Sequence, residues 1–208
     1  MTTLYNRIQG RSVERLSALS DGIFAVAMTL LVLDIHLPAA SSIHSQSELL
    51  HALAEMAPQW ATYLMSFLTL GIFWAGQQTQ LNHFAEGSRD LTWIHLGFLF
   101  AITLLPLSTR LLGEFIAFPA ALLVYWANIF LAGATLYWSW KHAEANHLIR
   151  ADTPHEVRAA ICKRIVIAQT LYACAAALCF LRPWLSIVAI VVVQLNYVFA
   201  PGTRYWRN

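Results

Sequence analysis

Six apolar stretches, each close to the ~20 residues a helix needs to cross a bilayer, constrain this chain more than any other feature. They run over roughly 15–36, 58–78, 91–110, 118–141, 163–181 and 183–201, with short polar connections between them. The longest connections, 36–57 and 142–162, are too short to fold by themselves. Charged residues are only 12% of the 208, and the mean hydropathy is +0.55. A soluble domain carries about 25% charged residues, so half that value leaves too little polar surface to cover a globule. The reading is an all-α integral membrane protein: one domain over 1–208, six transmembrane helices per subunit, with the lipid bilayer as its solvent. Residues 23–33 followed by Leu-Pro-Ala-Ala-Ser-Ser have some features of a secretory signal. The region before them is long, contains Glu14 and leads into Asp21, so the segment reads as the first span.

Lys and Arg orient the bundle. With six spans both termini share a side, and eleven of the thirteen basic residues, from Arg7 to Arg207, fall there. Only Arg110 and Arg182 fall on the other side. So uneven a split predicts a plasma-membrane protein with both termini in the cytoplasm.

The first span begins with a charge. At about 100° per residue, with Val26 at zero, Leu30 lies near 40°, Leu33 near −20°, and Leu19 and Leu37 near 20°. This is a narrow aliphatic stripe. Thr29 flanks it near −60°, Asp34 lies near 80° toward the external mouth, and Asp21 falls near −140°, on roughly the opposite face. A charge inside a span costs at least ~2.5 kcal/mol on insertion scales and is tolerated facing protein. Asp21 therefore points into the bundle. A plainer reading makes Ser20-Asp21 an N-cap for a helix starting at Gly22.

The stretch Arg15-Leu-Ser-Ala-Leu-Ser-Asp21 resembles the Arg-x-x-x-Phe-Ser-Asp signature that opens the first helix of the transmembrane protein 175 potassium-channel family. "FWAGQQ" (73–78), "FAITLLPLSTRLLGE" (100–114) and "YWANIFLAGATLYWSW" (125–140) are similar to the ends of that family's second, third and fourth helices. The resemblance implies a homotetramer whose four first helices surround a central pore. It implies no carbonyl-lined filter loop; aliphatic side chains narrow the path, at positions that fall here on Val26, Leu30 and Leu33. Periodicity reaches the same three residues independently. The resemblance also implies a network of Arg15, Ser20 and Asp21 anchoring the pore helix. By depth alone, Trp74, Gln77, Gln78, Asn82 and His95 are its candidate partners. Two departures stand out: Leu19 replaces the signature Phe, and Gln77-Gln78 replaces a His pair. Gln cannot titrate.

The expected function is a potassium-permeable channel, weakly to moderately selective, with a hydrophobic constriction that gates by dewetting. Potassium and other monovalent cations are then the permeant partners. Thr29 either offers a hydroxyl beside the stripe or back-bonds to its own helix. Asp34 either attracts cations to the mouth by charge or is simply a solvated acid at the helix end. The alternative is a small secondary transporter of cations or other small solutes. Transporters usually show internal repeats and helices broken near the midplane; no repeat relates the two halves, and Pro106 and Pro119 lie toward span ends. An enzyme ranks last, because Ser20, Ser66, Ser108 and Ser186 have no evident His partner. No metal, cofactor or nucleic acid is expected: there is no HExxH or Cys/His cluster and no nucleotide-binding motif. Cys162, Cys174 and Cys179 are odd in number and form no CxxC pair, so they read as small packing residues. Trp126, Trp138, Trp140, Trp184 and Trp206 lie near span ends, where the amphipathic ring settles at the interface.

Overall fold

Ser12, not Ser20, starts the first helix. Its hydroxyl accepts from the Arg15 N–H at 3.2 Å, and α1 runs from Val13 to Leu33. Ser20 and Asp21 thus lie two turns inside it, and the N-cap reading does not hold. The computed structural model describes residues 12–199. Arg7, Arg11, Arg204 and Arg207, which entered the charge asymmetry, lie outside them, as do Trp206 and the end of the sixth stretch.

The connection expected after α1 is not bare. It holds a 3₁₀ turn at Ala40–Ser42 and a short helix α2, Gln46–Glu55. Ser45 caps α2 by accepting from the Glu48 N–H at 3.2 Å, while the Glu48 carboxylate accepts from the His44 N–H at 2.7 Å. This reciprocal use of Ser and Glu satisfies helix-end donors. The second span becomes α3, Ala57–Asn82, at 26 residues longer than the apolar stretch that announced it.

The third stretch is broken. α4 runs over Arg89–Thr103 and α5 over Leu105–Glu114, with Leu104 between them. Pro106 causes the break: it has no N–H to give Ile102, and its ring crowds that carbonyl. The break lies deeper in the span than the sequence position suggested. α6 (Pro119–Ala145), α7 (His155–Ala177, continued by a 3₁₀ turn to Phe180) and α8 (Pro183–Phe199) complete the described bundle.

Four segments are long and apolar enough to cross a membrane: α1, the α4–α5 rod, α6, and α7 with its 3₁₀ extension. α3 is long enough, but its buried side chains include Thr62, Ser66, Thr69, Gln77 and Gln80. The described part of α8 is apolar and 17 residues long.

α6 lies at the centre, packed on α4, α5 and α7, with α1 against α3 and α4. Phe98 of α4 meets both α1 and α3, its ring 6.0 Å from Phe24 and from Phe73. A smaller core closes the end of the bundle at which α1 begins. There α6 ends with Asn146, and His147 takes φ 56°, a left-handed residue. The Leu148 N–H then donates to the Ala143 carbonyl at 2.9 Å, the reversal typical of helix C-termini. The turn that follows pairs with the turn after α3. Ala85 N–H donates to Leu148 O at 2.8 Å and Arg150 N–H to His83 O at 2.9 Å. Trp140 is fully buried here, stacked on Phe84 at 5.8 Å. It is a core residue and not the interfacial ring expected, because this strapped pair of turns covers it. Trp138 and Trp184 are exposed.

Candidate pore helix and its polar anchor

α1 buries one stripe, Leu16, Ser20, Phe24, Ala27 and Leu31, flanked by half-buried Ile23 and Met28, and leaves its far face bare. Val26, Leu30 and Leu33 are 58%, 44% and 75% exposed. Thr29 beside them is exposed and donates its hydroxyl to the Val26 carbonyl at 2.8 Å. Its proton is thereby used within the helix, and its lone pairs stay available.

Polar contacts hold the side turned to α3, although Asp21 stays exposed at the edge of an open cleft and does not point into the bundle as its charge suggested. Asp21 Oδ1 accepts from Trp74 Nε1 and from Gln78 Nε2, both at 2.8 Å. Ser17 donates to Gln78 Oε1 at 3.3 Å, which fixes the orientation of that amide. One turn along, Gln77 Nε2 donates to Ser20 Oγ at 2.7 Å, and Ser20 passes its own proton to the Leu16 carbonyl at 2.8 Å. The spacing explains the pairing. Trp74, Gln77 and Gln78 are i, i+3 and i+4 on α3 and share a face, and that face meets Ser17, Ser20 and Asp21 on α1. An ionised acceptor with two donors makes the stronger class of hydrogen bond.

Of the residues grouped with these at the sequence level, the structure brings together Ser20, Asp21, Trp74, Gln77 and Gln78. The exposed Arg15 side chain joins none of the described hydrogen bonds. Asn82 does not bond Asp21 either, although both border one open cleft. His95 is elsewhere: buried on α4, its Nδ1 lies 3.2 Å from both the Leu91 carbonyl and the Ser139 hydroxyl. Depth alone had grouped it with Asp21; rotation about α4 separates them. Asp34 forms the C-cap of α1 and shares a cavity with Arg110 and Glu114, which pair at 2.9 Å.

A second polar cluster has no counterpart in the sequence reading. Gln194 Nε2 donates to Thr69 Oγ1 at 2.6 Å, and Thr69 lies 3.0 Å from the Tyr125 hydroxyl. Ser66 donates to Tyr125 at 3.2 Å and receives from Thr109 at 2.7 Å. This buried chain ties α3, α5, α6 and α8 together. Its signal was present: Thr62, Ser66, Thr69, Gln77 and Gln80 recur at helical spacing along α3 and mark a polar stripe facing the core.

An all-helical bundle with four segments long and apolar enough to cross a membrane defines a class, the multi-pass membrane proteins. The comparisons name the family. The profile described as endosomal/lysosomal potassium channel TMEM175 matches residues 15–106. A potassium channel of Chamaesiphon minutus is 33% identical over 189 residues, covering 88% of this chain and 92% of that one. A potassium channel of Streptomyces collinus is 31% identical, covering 89% and 91%. The crystal structure of a lysosomal potassium-selective channel TMEM175 homolog from Chamaesiphon minutus superposes with a TM-score of 0.77. It is 28% identical and covers 90% of this chain and 97% of that chain. The chain belongs to the TMEM175 family of channels.

Proposed function

We propose that four copies of this chain assemble with α1 of each around a central pore, and that potassium and other monovalent cations cross the membrane along the Val26, Leu30 and Leu33 stripe. α1, α3, the α4–α5 rod, α6, α7 and α8 then serve as the six spans, with both termini in the cytoplasm of a cell whose plasma membrane holds the channel. The observation that carries this reading is the asymmetry of α1: hydrogen-bonded and packed on one face, aliphatic and uncovered on the other. Arg15, with Ser20 and Asp21, marks the cytoplasmic end, and Asp34 marks the external mouth.

An aliphatic ring offers a cation no ligands, so an ion passes with its water or not at all, and closing needs only enough narrowing to dewet the ring. Potassium holds its hydration shell less tightly than sodium, which gives a weak to moderate preference without oxygen ligands. Thr29 adds the nearest side-chain lone pairs to the stripe. Potassium flux into liposomes carrying the purified protein tests this, with wild type beside Leu30→Asn. Flux changed in rate or ion preference by the substitution supports the pathway. Flux indifferent to substitutions at Val26, Leu30 and Leu33 overturns it and returns the transporter reading.

A further inference from the structure

A narrow crevice opens between α3, α6, α7 and α8, in the half of the bundle where α1 begins. Its walls are largely apolar, built by Ile72, Phe73, Leu136, Ile165 and Ala168, yet Gln80 and Gln169 face it as well. Gln80 is 1% exposed. The side-chain oxygens of both amides are buried and have no hydrogen-bond donor among the described residues. Such an acceptor is costly to leave unmet, and these two share one cavity. Gln169 is seated there by design of the neighbouring helix: a Cβ at Gly133 would run into its amide. Arg164 lines the same crevice, its guanidinium 5.5 Å above the Tyr197 ring. Lys163 and Arg158 belong to the same helix end.

These features specify an occupant. Apolar walls opening toward a membrane suit an acyl chain. A guanidinium at the basic end suits a phosphate. Two unmet acceptors require donors, which a phosphodiester and its acyl esters do not carry, so the headgroup must supply them; beside Arg164, Lys163 and Arg158 a neutral hydroxyl suits this end better than an ammonium. We propose that the crevice binds one anionic phospholipid with a hydroxylated headgroup, of the phosphatidylglycerol class, from the leaflet at the basic end. The phosphate meets Arg164, headgroup hydroxyls donate to Gln80 and Gln169 Oε1, and an acyl chain lies along Ile72 and Ala168. The site is separate from the α1 stripe, and its test is scored without measuring flux.

Native mass spectrometry of the full-length protein in detergent, after exposure to defined lipids, provides that test. Phosphatidylglycerol is expected to remain at one molecule per chain, about tenfold above phosphatidylcholine, the effect of one charge-assisted contact. It is also expected to exceed phosphatidylethanol, which has the same charge and no headgroup hydroxyl. Arg164→Gln removes the preference for anionic lipid. Ala168→Phe fills the apolar wall and lowers retention of all three lipids, so the site stays testable if the Arg164 variant folds poorly. Equal retention of phosphatidylglycerol and phosphatidylcholine by the wild type overturns the proposal. So does a cross-link through Ala168→Cys to a second copy, which would mean that protein covers the crevice.

Discussion

α1 and α6 are both long apolar helices, but they use their apolar surface differently. In the most hydrophobic window of α6, 44% of residues are buried within the single chain; in that of α1, 28% are. α6 spends its large side chains on the chain it belongs to: Tyr125 and Trp140 are fully buried. α1 holds back Val26, Leu30 and Leu33. Hydropathy treats the two helices alike, and only burial separates a helix that builds the subunit from one whose bare face awaits neighbours, lipid or water.

Substitutions sharpen the contrast. Trp140→Ala should cost about 3–5 kcal/mol, the range for emptying a large buried aromatic site, read by unfolding of the purified protein in detergent. A loss under 1 kcal/mol would mean that the small core at the basic end does not support the fold. Asp21→Ala should cost about 1 kcal/mol, because it removes a charge-assisted acceptor from Trp74 and Gln78 at an exposed site, and should weaken assembly measured by size-exclusion chromatography. Unchanged assembly and stability would remove the anchoring role of Asp21. Gln77→Leu should cost about 1 kcal/mol, nearer the modest value of neutral hydrogen bonds between membrane helices. Leu30→Asn inverts the pattern: subunit stability shifts by no more than about 0.5 kcal/mol, as for an exposed site, while flux changes. A variant that unfolds the subunit and leaves flux per folded channel intact would break the comparison. The smallest effect is expected at Asp34→Asn. Single-channel conductance should fall at low salt and recover at high salt, where screening removes the contribution of a distant charge. Nearby Arg110 already offsets part of that charge.

Much of this could be read before any coordinates. The six stretches and the α1 stripe follow from length and a 3.6-residue period; the inward face expected for Asp21 does not hold, because its carboxylate stays exposed while it bonds across to α3. The break at Leu104 was half visible: Pro106 was noted, but its depth depends on where the rod starts and ends. α2 escaped notice because a ten-residue helix leaves little periodic signal inside a polar connection. The Gln194–Thr69–Tyr125 chain joins residues 125 apart in sequence at its first link, and nothing in one sequence pairs them. Even so, the polar stripe on α3 was legible as a stripe. Trp140 shows the opposite failure. A Trp near a span end suggests the lipid boundary, yet two hydrogen-bonded turns fold over it and make it core.

The anchor on α1 also has a mechanical reading. Among the described residues, the side-chain hydrogen bonds between α1 and other helices all involve Ser17, Ser20 or Asp21. Beyond them Phe24, Ala27 and Leu31 hold it by packing, which is non-directional and lets surfaces slide, until the His36 N–H donates to Gln59 Oε1 at 3.1 Å past its end. The helix is a lever with its fulcrum near Asp21. At 1.5 Å per residue, Val26 sits about 7.5 Å along the lever arm and Leu33 about 18 Å. A small tilt about that point would therefore displace Leu33 more than twice as far as Val26.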